Sequence, residues 1–261
     1  MFMVSEKWKK FIVLMHDLAV SGAVPMSRID DAVRRILRVK IAAGLFEETK
    51  PSTRAKVYQT GFGGSDHRDI AREAVRKSLV LLKNEDATLP LNNESRILVT
   101  GKNAHDRGHQ CGGWSVSWQG ESGNDHIEGG SSVWEGIKAV APNAMLSEDG
   151  SDANSELHDV AIIVIGETPY AEGLGDIREG DDILVEAGSD INGLISPLDP
   201  YGSTLVLADL HPEDLKAIRK VTQLGIPAVV VLISGRPLVV EAELDESNAF
   251  VAAWLPGSEG Q

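Results

Sequence analysis

The strongest constraint on the fold of this chain is a repeated pattern of short aliphatic and β-branched runs that stop at glycine. Val160-Ala-Ile-Ile-Val-Ile-Gly166 and Ala228-Val-Val-Val-Leu-Ile-Ser-Gly235 show it in full, and Arg96-Ile-Leu-Val-Thr-Gly101 shows it in shorter form. Phe250 to Leu255 is a fourth, shorter run that ends at Pro256-Gly257. None of them alternates apolar with polar residues. A strand that is apolar on both faces must be covered on both, as in a parallel sheet between helices. Helical segments lie between the runs, at Ser132 to Val140 and at Pro212 to Leu224, the latter with proline in its first turn. The expected fold class is therefore α/β, a doubly wound, mostly parallel sheet sandwiched by helices. In such sheets ligands sit where strands end, which directs attention to the loops after Gly101, Gly166, Gly235 and Leu255.

Two helices are expected ahead of the sheet. Trp8, Phe11, Ile12, Met15 and Leu18 recur at helical spacing, Ser21-Gly22 breaks the pattern, and Ile29, Val33, Ile36, Leu37 and Ile41 resume it. Ser27 is the expected N-cap of the second helix and Gly44 its C-cap. Two amphipathic helices cannot enclose a core, so their apolar faces need cover from elsewhere. Residues 47–66 turn to Thr, Lys, Pro, Ser and Gly and read as a linker, and His67 to Lys83 reads as a helix with Ile70, Ala74, Val75 and Leu79 on one face. The expected organisation is thus helices over 1–46, a linker over 47–66 and an α/β sandwich domain over 67–261. Within that domain, the Gly-, Asp- and Pro-rich stretch 173–203 is expected to be a functional or mobile loop.

Charge and composition narrow the function. Lys and Arg number 25 against 39 Asp and Glu, a formal charge of −14, which argues against nucleic acid and anionic membranes as partners. The apolar stretch Phe11 to Met15 is too short to span a bilayer and no cleavage site follows it, so no targeting segment is read. Cys111, the single cysteine, cannot form an intrachain disulfide, and it reads as a packed thiol. There is no G-x-S-x-G elbow, P-loop, H-E-x-x-H or dinucleotide-binding glycine pattern. His105 and His109, four residues apart, read as polar loop residues rather than zinc ligands. Neither a metal nor a cofactor is expected.

Two motifs remain that could carry chemistry. Gln110-Cys-Gly-Gly-Trp114-Ser-Val-Ser-Trp118-Gln-Gly120 sets two tryptophans beside amide donors, which suits stacking on sugar rings and bonding to their hydroxyls. Core packing of both indoles is the other reading, and spacing leaves both open. Gly166-Glu167-Thr-Pro-Tyr170-Ala-Glu172-Gly-Leu-Gly-Asp176 leaves a buried strand with three carboxylates. A carboxyl group on a loop over a pocket can serve as a general acid, while a solvated acidic loop is the alternative.

Taken in order, these stretches resemble the family-3 glycoside hydrolases, most closely the exo-β-glucanase and β-glucosidase branch. Further matching segments are Arg28 to Lys40 with Gly44-Leu-Phe46, Ala71 to Glu85, Ser234-Gly-Arg-Pro237 and Ala252 to Gln261. The resemblance implies a barrel-type first domain, a linker and an α/β sandwich second domain, with the active site between the domains. It implies retaining hydrolysis, in which an Asp of the first domain attacks the anomeric carbon and a Glu of the second protonates the leaving oxygen. By position in its motif, Glu172 matches that acid/base. Trp114 and Trp118 match the aromatic pair that clamps the sugar in the outer subsite, and Glu167 matches a motif residue without an assigned role. The resemblance further implies that the chain enters at the last helices of the first domain, so that it lacks the nucleophile and carries half a catalytic site. The expected ligands are β-glucan oligosaccharides or β-glucosides, and the uncovered helix faces imply a homo-oligomer. A carbohydrate-binding or oligomer-forming module without hydrolytic activity is the competing expectation.

Overall fold

The computed structural model describes residues 2–4, 7–47, 50–59, 61–172, 174–175 and 203–260. Asp176 and most of the 173–203 stretch lie outside the described residues. The chain divides into two compact units, with the boundary between Gly64 and Ser65.

The first unit holds α1 (Trp8–Val20), α2 (Met26–Ala42) and α3 (Pro51–Gln59). The break at Ser21-Gly22 is present. The N-cap of helix α2 is Pro25, two residues before the expected Ser27, because the Pro25 carbonyl already accepts from Arg28 N at 2.9 Å. It ends as expected near Gly44, whose positive φ of 66° lets Leu45 N return to Lys40 O at 3.0 Å. No residue of α1 or α2 is buried. Helix α3 falls inside the stretch read as a linker. Among the described residues no helix is long and apolar enough to cross a membrane.

The second unit is the α/β domain. In chain order it contains α4 (Ser65–Ser78), β1 (Val80–Asn84), β2 (Ile97–Thr100), α5 (Arg107–Cys111), α6 (Val133–Val140), β3 (Met145–Leu146) and β4 (Val160–Gly166). There follow α7 (Leu207–Leu210), α8 (Pro212–Thr222), β5 (Ala228–Ile233), α9 (Glu241–Asp245) and β6 (Ala249–Trp254). The six strands lie in the order β1-β6-β5-β4-β2-β3. All neighbours are parallel except β1, which runs antiparallel to β6. The sheet is doubly wound and mostly parallel.

Period-two alternation explains why both faces need helices. Ile162 and Val164 of β4 pack with Val99, Val229 and the α6 residues Trp134 and Ile137. Their neighbours Ile163 and Ile165 face the other side, with Val230, Phe250, and Ile218 and Val221 of α8. Every residue of β4 is buried. Helix α6 carries the expected start, a capping box in which Ser132 Oγ accepts from Glu135 N and the Glu135 carboxylate accepts from Ser132 N.

One expected element is corrected. The helix over His67 to Lys83 stops at Ser78, and Val80–Asn84 form strand β1 on the sheet edge. The apolar run from Leu79 to Leu82 fits a helix face or a strand equally well locally. Pairing of Val80 with Ala252 and Leu81 with Val251 on the open edge of β6 decides it.

The carboxyl ends of β2, β4, β5 and β6 lie along one edge of the sheet. The chain leaves β2 outward to β3 and returns to β4, so the strand order reverses between β2 and β4. Open α/β sheets bind ligands at such a switch point.

Candidate functional site

Strand β4 delivers Gly166 and Glu167 to that edge. The Glu167 N–H donates to Ile233 O at 3.0 Å, extending the ladder by one residue. At Gly166 (φ 138°) a Cβ would stand 1.8 Å from the Ile233 oxygen, so only glycine lets the strands stay paired there. The Glu167 carboxylate is buried, at 3% exposure. Its Oε1 accepts from Arg236 Nε at 2.9 Å, with Arg236 Nη2 at 2.7 Å, and its Oε2 accepts from the Tyr170 hydroxyl at 3.0 Å. The Arg236 guanidinium also lies 4.5 Å from the centroid of the Tyr170 ring, a cation–π contact. With both oxygens engaged, Glu167 is a structural carboxylate.

The tryptophan loop comes from the end of β2. Asp106 pins both ends of it, its carboxylate accepting from His109 N at 2.8 Å and from Gly123 N at 2.8 and 2.9 Å. Gln110, fully buried, donates to Ser131 O and Gly257 O at 3.1 Å each and accepts from Val133 N at 3.0 Å. Trp114 and Val116 then take φ of 93° and 72°, a conformation that costs a side-chain-bearing residue about 1–3 kcal/mol and marks a functional loop when the surroundings enforce it.

The two loops meet at Glu172. Trp114 Nε1 and Trp118 Nε1 both donate to Glu172 Oε2, each at 3.0 Å. The indole rings are 6.5 Å apart and inclined at 49°. Trp114 is 68% exposed, so it is not a core residue, and Trp118 is half-buried. Gln119 clamps the backbone beneath the carboxylate, accepting from Ala171 N at 2.8 Å and donating to Glu172 O at 3.0 Å. The Trp118 indole N–H, the backbone N–H of Glu172 itself and the Trp114 indole hold the Glu172 carboxyl below the usual glutamate range. With the indoles in these positions Glu172 is therefore held as a carboxylate. Loss of those donors would let its pKa return towards the ordinary glutamate range.

Under the loops is a cavity of about 170 Å³ lined by His109, Gly112, Glu167, Tyr170, Gly235 and Leu255. Burial lowers the His109 pKa, and its Nε2 meets Ser122 Oγ at 3.0 Å. His105 instead pairs with Ser132 Oγ at 2.8 Å, so the two histidines serve different contacts. Among the described residues no group of three or more His, Cys, Asp or Glu could hold a metal ion. Cys111 is half-buried and its thiol pKa is raised by that burial. Behind β4, Asp214 accepts from Gly166 N at 3.0 Å and pairs with Lys102 Nζ at 3.2 Å, and burial pushes its carboxyl up to about 7.

All three expected site residues, Glu172, Trp114 and Trp118, are together. Arg236, Gln119 and Asp106 were missed as supports. A signal for Arg236 was present: Gly166-Glu167 and Gly235-Arg236 put opposite charges just past the glycines of two adjacent strands.

Comparison with known proteins identifies the family. Residues 79–261 match the glycosyl hydrolase family 3 C-terminal domain. The chain belongs to glycosyl hydrolase family 3. Among solved structures, a mutant exo-1,3/1,4-β-glucanase of a Pseudoalteromonas species is 40% identical with a TM-score of 0.77, over 99% of this chain and 38% of that one. A mutant β-glucosidase of Listeria innocua, solved with laminaribiose, is 25% identical with a TM-score of 0.65, over 94% of this chain and 31% of that one. The lysosomal β-glucosidase of Dictyostelium discoideum is 29% identical over 96% of this chain and 30% of its own length. This family-3 chain thus spans about a third of the length of its relatives.

Proposed function

We propose that the chain contributes the acid/base group and the outer sugar contacts of a retaining β-glucosidase or exo-β-glucanase. The observation that carries this reading is the convergence of two indole N–H groups on one oxygen of Glu172 at the carboxyl edge of the sheet. Trp114 and Trp118 offer apolar faces to the sugar of a β-glucoside or β-glucan oligosaccharide, and Glu172 stands beside them.

In the first step the glycosidic C–O bond breaks while Glu172 gives its proton to the leaving oxygen and a second carboxylate forms an ester at the anomeric carbon. In the second step water attacks that carbon, the Glu172 carboxylate accepts the water proton, and the ester C–O bond at that carbon breaks, freeing the sugar and the second carboxylate. Such a pair stands about 5–5.5 Å apart. Glu167, the buried carboxylate of the same loop, is held by Arg236 and Tyr170 and is not free for attack. The nucleophile in this reading comes from a barrel-type domain outside these 261 residues, with residues 1–46 matching the end of that domain and 47–66 the connection.

Hydrolysis of an aryl β-glucoside tests the proposal. The purified chain alone is expected to give no turnover. Fused behind the first domain of the Pseudoalteromonas exo-glucanase, it should gain activity that Glu172→Gln lowers by roughly 10²–10⁴-fold for a poor leaving group. Turnover by the fusion that ignores Glu172→Gln removes Glu172 from the mechanism.

The exposure of Trp114 favours a second reading, a carbohydrate-binding module that acts without hydrolysis. An inactive fusion combined with tryptophan fluorescence that responds to laminaribiose selects that reading instead.

A further inference from the structure

The Glu172 loop is also held from the neighbouring strand β5. Arg236, just beyond the end of β5, touches the loop at three places: the Glu167 carboxylate at 2.9 Å, the Tyr170 ring at 4.5 Å and the Gly175 carbonyl, which accepts from Nη1 at 2.5 Å. Two of these precede Glu172 and the third follows it. Glu167 is itself tied to the sheet by its N–H to Ile233 O, and its carbonyl accepts from Asn103 Nδ2 at 3.2 Å. We propose that Arg236 is a positioning residue for Glu172, fixing the loop to the sheet on both sides of the carboxylate so that it meets both indoles. This rests on reading Glu172 as the acid/base group.

The chemistry of the side chain suits the role. A guanidinium is a rigid fork of five donors that can bond a carboxylate through one edge, a carbonyl through another and stack on a ring with its face. A lysine ammonium keeps the charge but cannot make all three contacts at once. Gln119 joins the Glu172 backbone to the tryptophan loop, yet it reaches only Ala171 and Glu172. Without Arg236, the loop keeps its backbone bonds at Glu167 but loses the tie beyond Glu172, at the Gly175 carbonyl. An error of about 1 Å in such a group can cost on the order of 10² in rate.

The test is an NMR measurement on the purified chain at pH 7, following the indole N–H resonances of Trp114 and Trp118, assigned with Trp114→Phe and Trp118→Phe. Glu172→Gln defines where each resonance lies without the carboxylate. Arg236→Met is expected to move both resonances most of the way to the Glu172→Gln positions, and Arg236→Lys to move them part of the way while retaining the far-ultraviolet circular dichroism of the parent. Should Arg236→Met fail to fold, Arg236→Lys and Tyr170→Phe carry the measurement. Indole resonances that stay at the parent positions in a folded Arg236→Lys protein overturn the proposal, as does a parent whose indoles ignore Glu172→Gln. The readout is a resonance rather than turnover. Loss of the acid/base reading in the hydrolysis assay therefore leaves the positioning result intact, and the reverse also holds.

Discussion

Gly113 faces the backbone of Tyr170 so closely that a Cβ on it would stand 1.9 Å from the Tyr170 carbonyl oxygen. The tryptophan loop and the acidic loop are therefore in contact through main chain, and their spacing is set by the lack of a side chain. Gly113→Ala should push the loops apart, costing about 1–3 kcal/mol in urea unfolding. It should also move the Trp114 indole away from Glu172. Gly225, with φ of 74° and open space around its Cβ position, is the matched control: Gly225→Ala strains only the backbone and should leave the tryptophans as they are.

Sugar binding should depend on both indoles. Titration of the chain with laminaribiose is expected to change tryptophan fluorescence, and Trp114→Ala or Trp118→Ala should weaken the response on the order of tenfold, about 1.4 kcal/mol. A flat titration to millimolar sugar in the parent would remove the tryptophans from the proposed outer subsite.

Stability should vary with pH through two buried groups of opposite sign. Burial raises the folded Asp214 pKa to about 7 from 3.8, so the folded state holds that proton more tightly. Stability from this group is greatest at low pH and falls as pH rises from about 4 to about 7. Burial, helped by the nearby Lys102 charge, lowers the folded His211 pKa to about 4 from 6.5. The unfolded state then binds the extra proton, and stability from His211 rises over about 4 to 6.5. Urea unfolding at several pH values should therefore show Asp214→Asn gaining on the parent as pH rises towards 7. His211→Gln should gain on the parent as pH falls towards 4. Parallel profiles for all three proteins would refute the assignment.

Buried charge also ties α4 to the domain. Glu259, only 4% exposed, pairs with Arg72 Nε at 2.9 Å and with Arg68 Nη1 at 2.5 Å. Removing both arginines leaves a buried carboxylate without its cations, whereas Glu259→Gln leaves two partly exposed arginines that water can solvate. Denaturant unfolding should rank Arg68→Met/Arg72→Met as the less stable protein, and the reverse order would mean that the pair is solvated.

Self-association is the last expectation. Ile12, Leu14 and Leu18 of α1, Val33 and Ile41 of α2, and Leu81 of the edge strand are exposed, and apolar faces of that kind drive association. Light scattering should find a homodimer or larger species, and Ile12→Glu with Val33→Glu should shift it towards monomer. A monomeric parent would contradict this.

Much of the fold is legible because burial on both faces is written locally. Ile162 and Ile163 point to opposite sides of β4 and both meet helices, so a run of seven buried residues can come only from a sheet covered twice. The tryptophan pair and Glu172 were likewise legible as types, a stacking surface and a carboxyl group on loops that follow strands. What the sequence left open was whether the indoles packed inward, since spacing of four residues serves a core or a loop equally well.

The sequence by itself determined the parallel sheet, its covering helices and the loops at which chemistry could occur, because apolar period and glycine position are local properties. Only the tertiary structure decided that Val80–Asn84 add to the sheet edge rather than prolong a helix. It alone brought Trp118 to Glu172 and Arg236 to Glu167. Those partners lie 54 and 69 residues apart. Their meeting follows from the order in which strands assemble, and strand order is a property of long-range pairing that no single segment encodes.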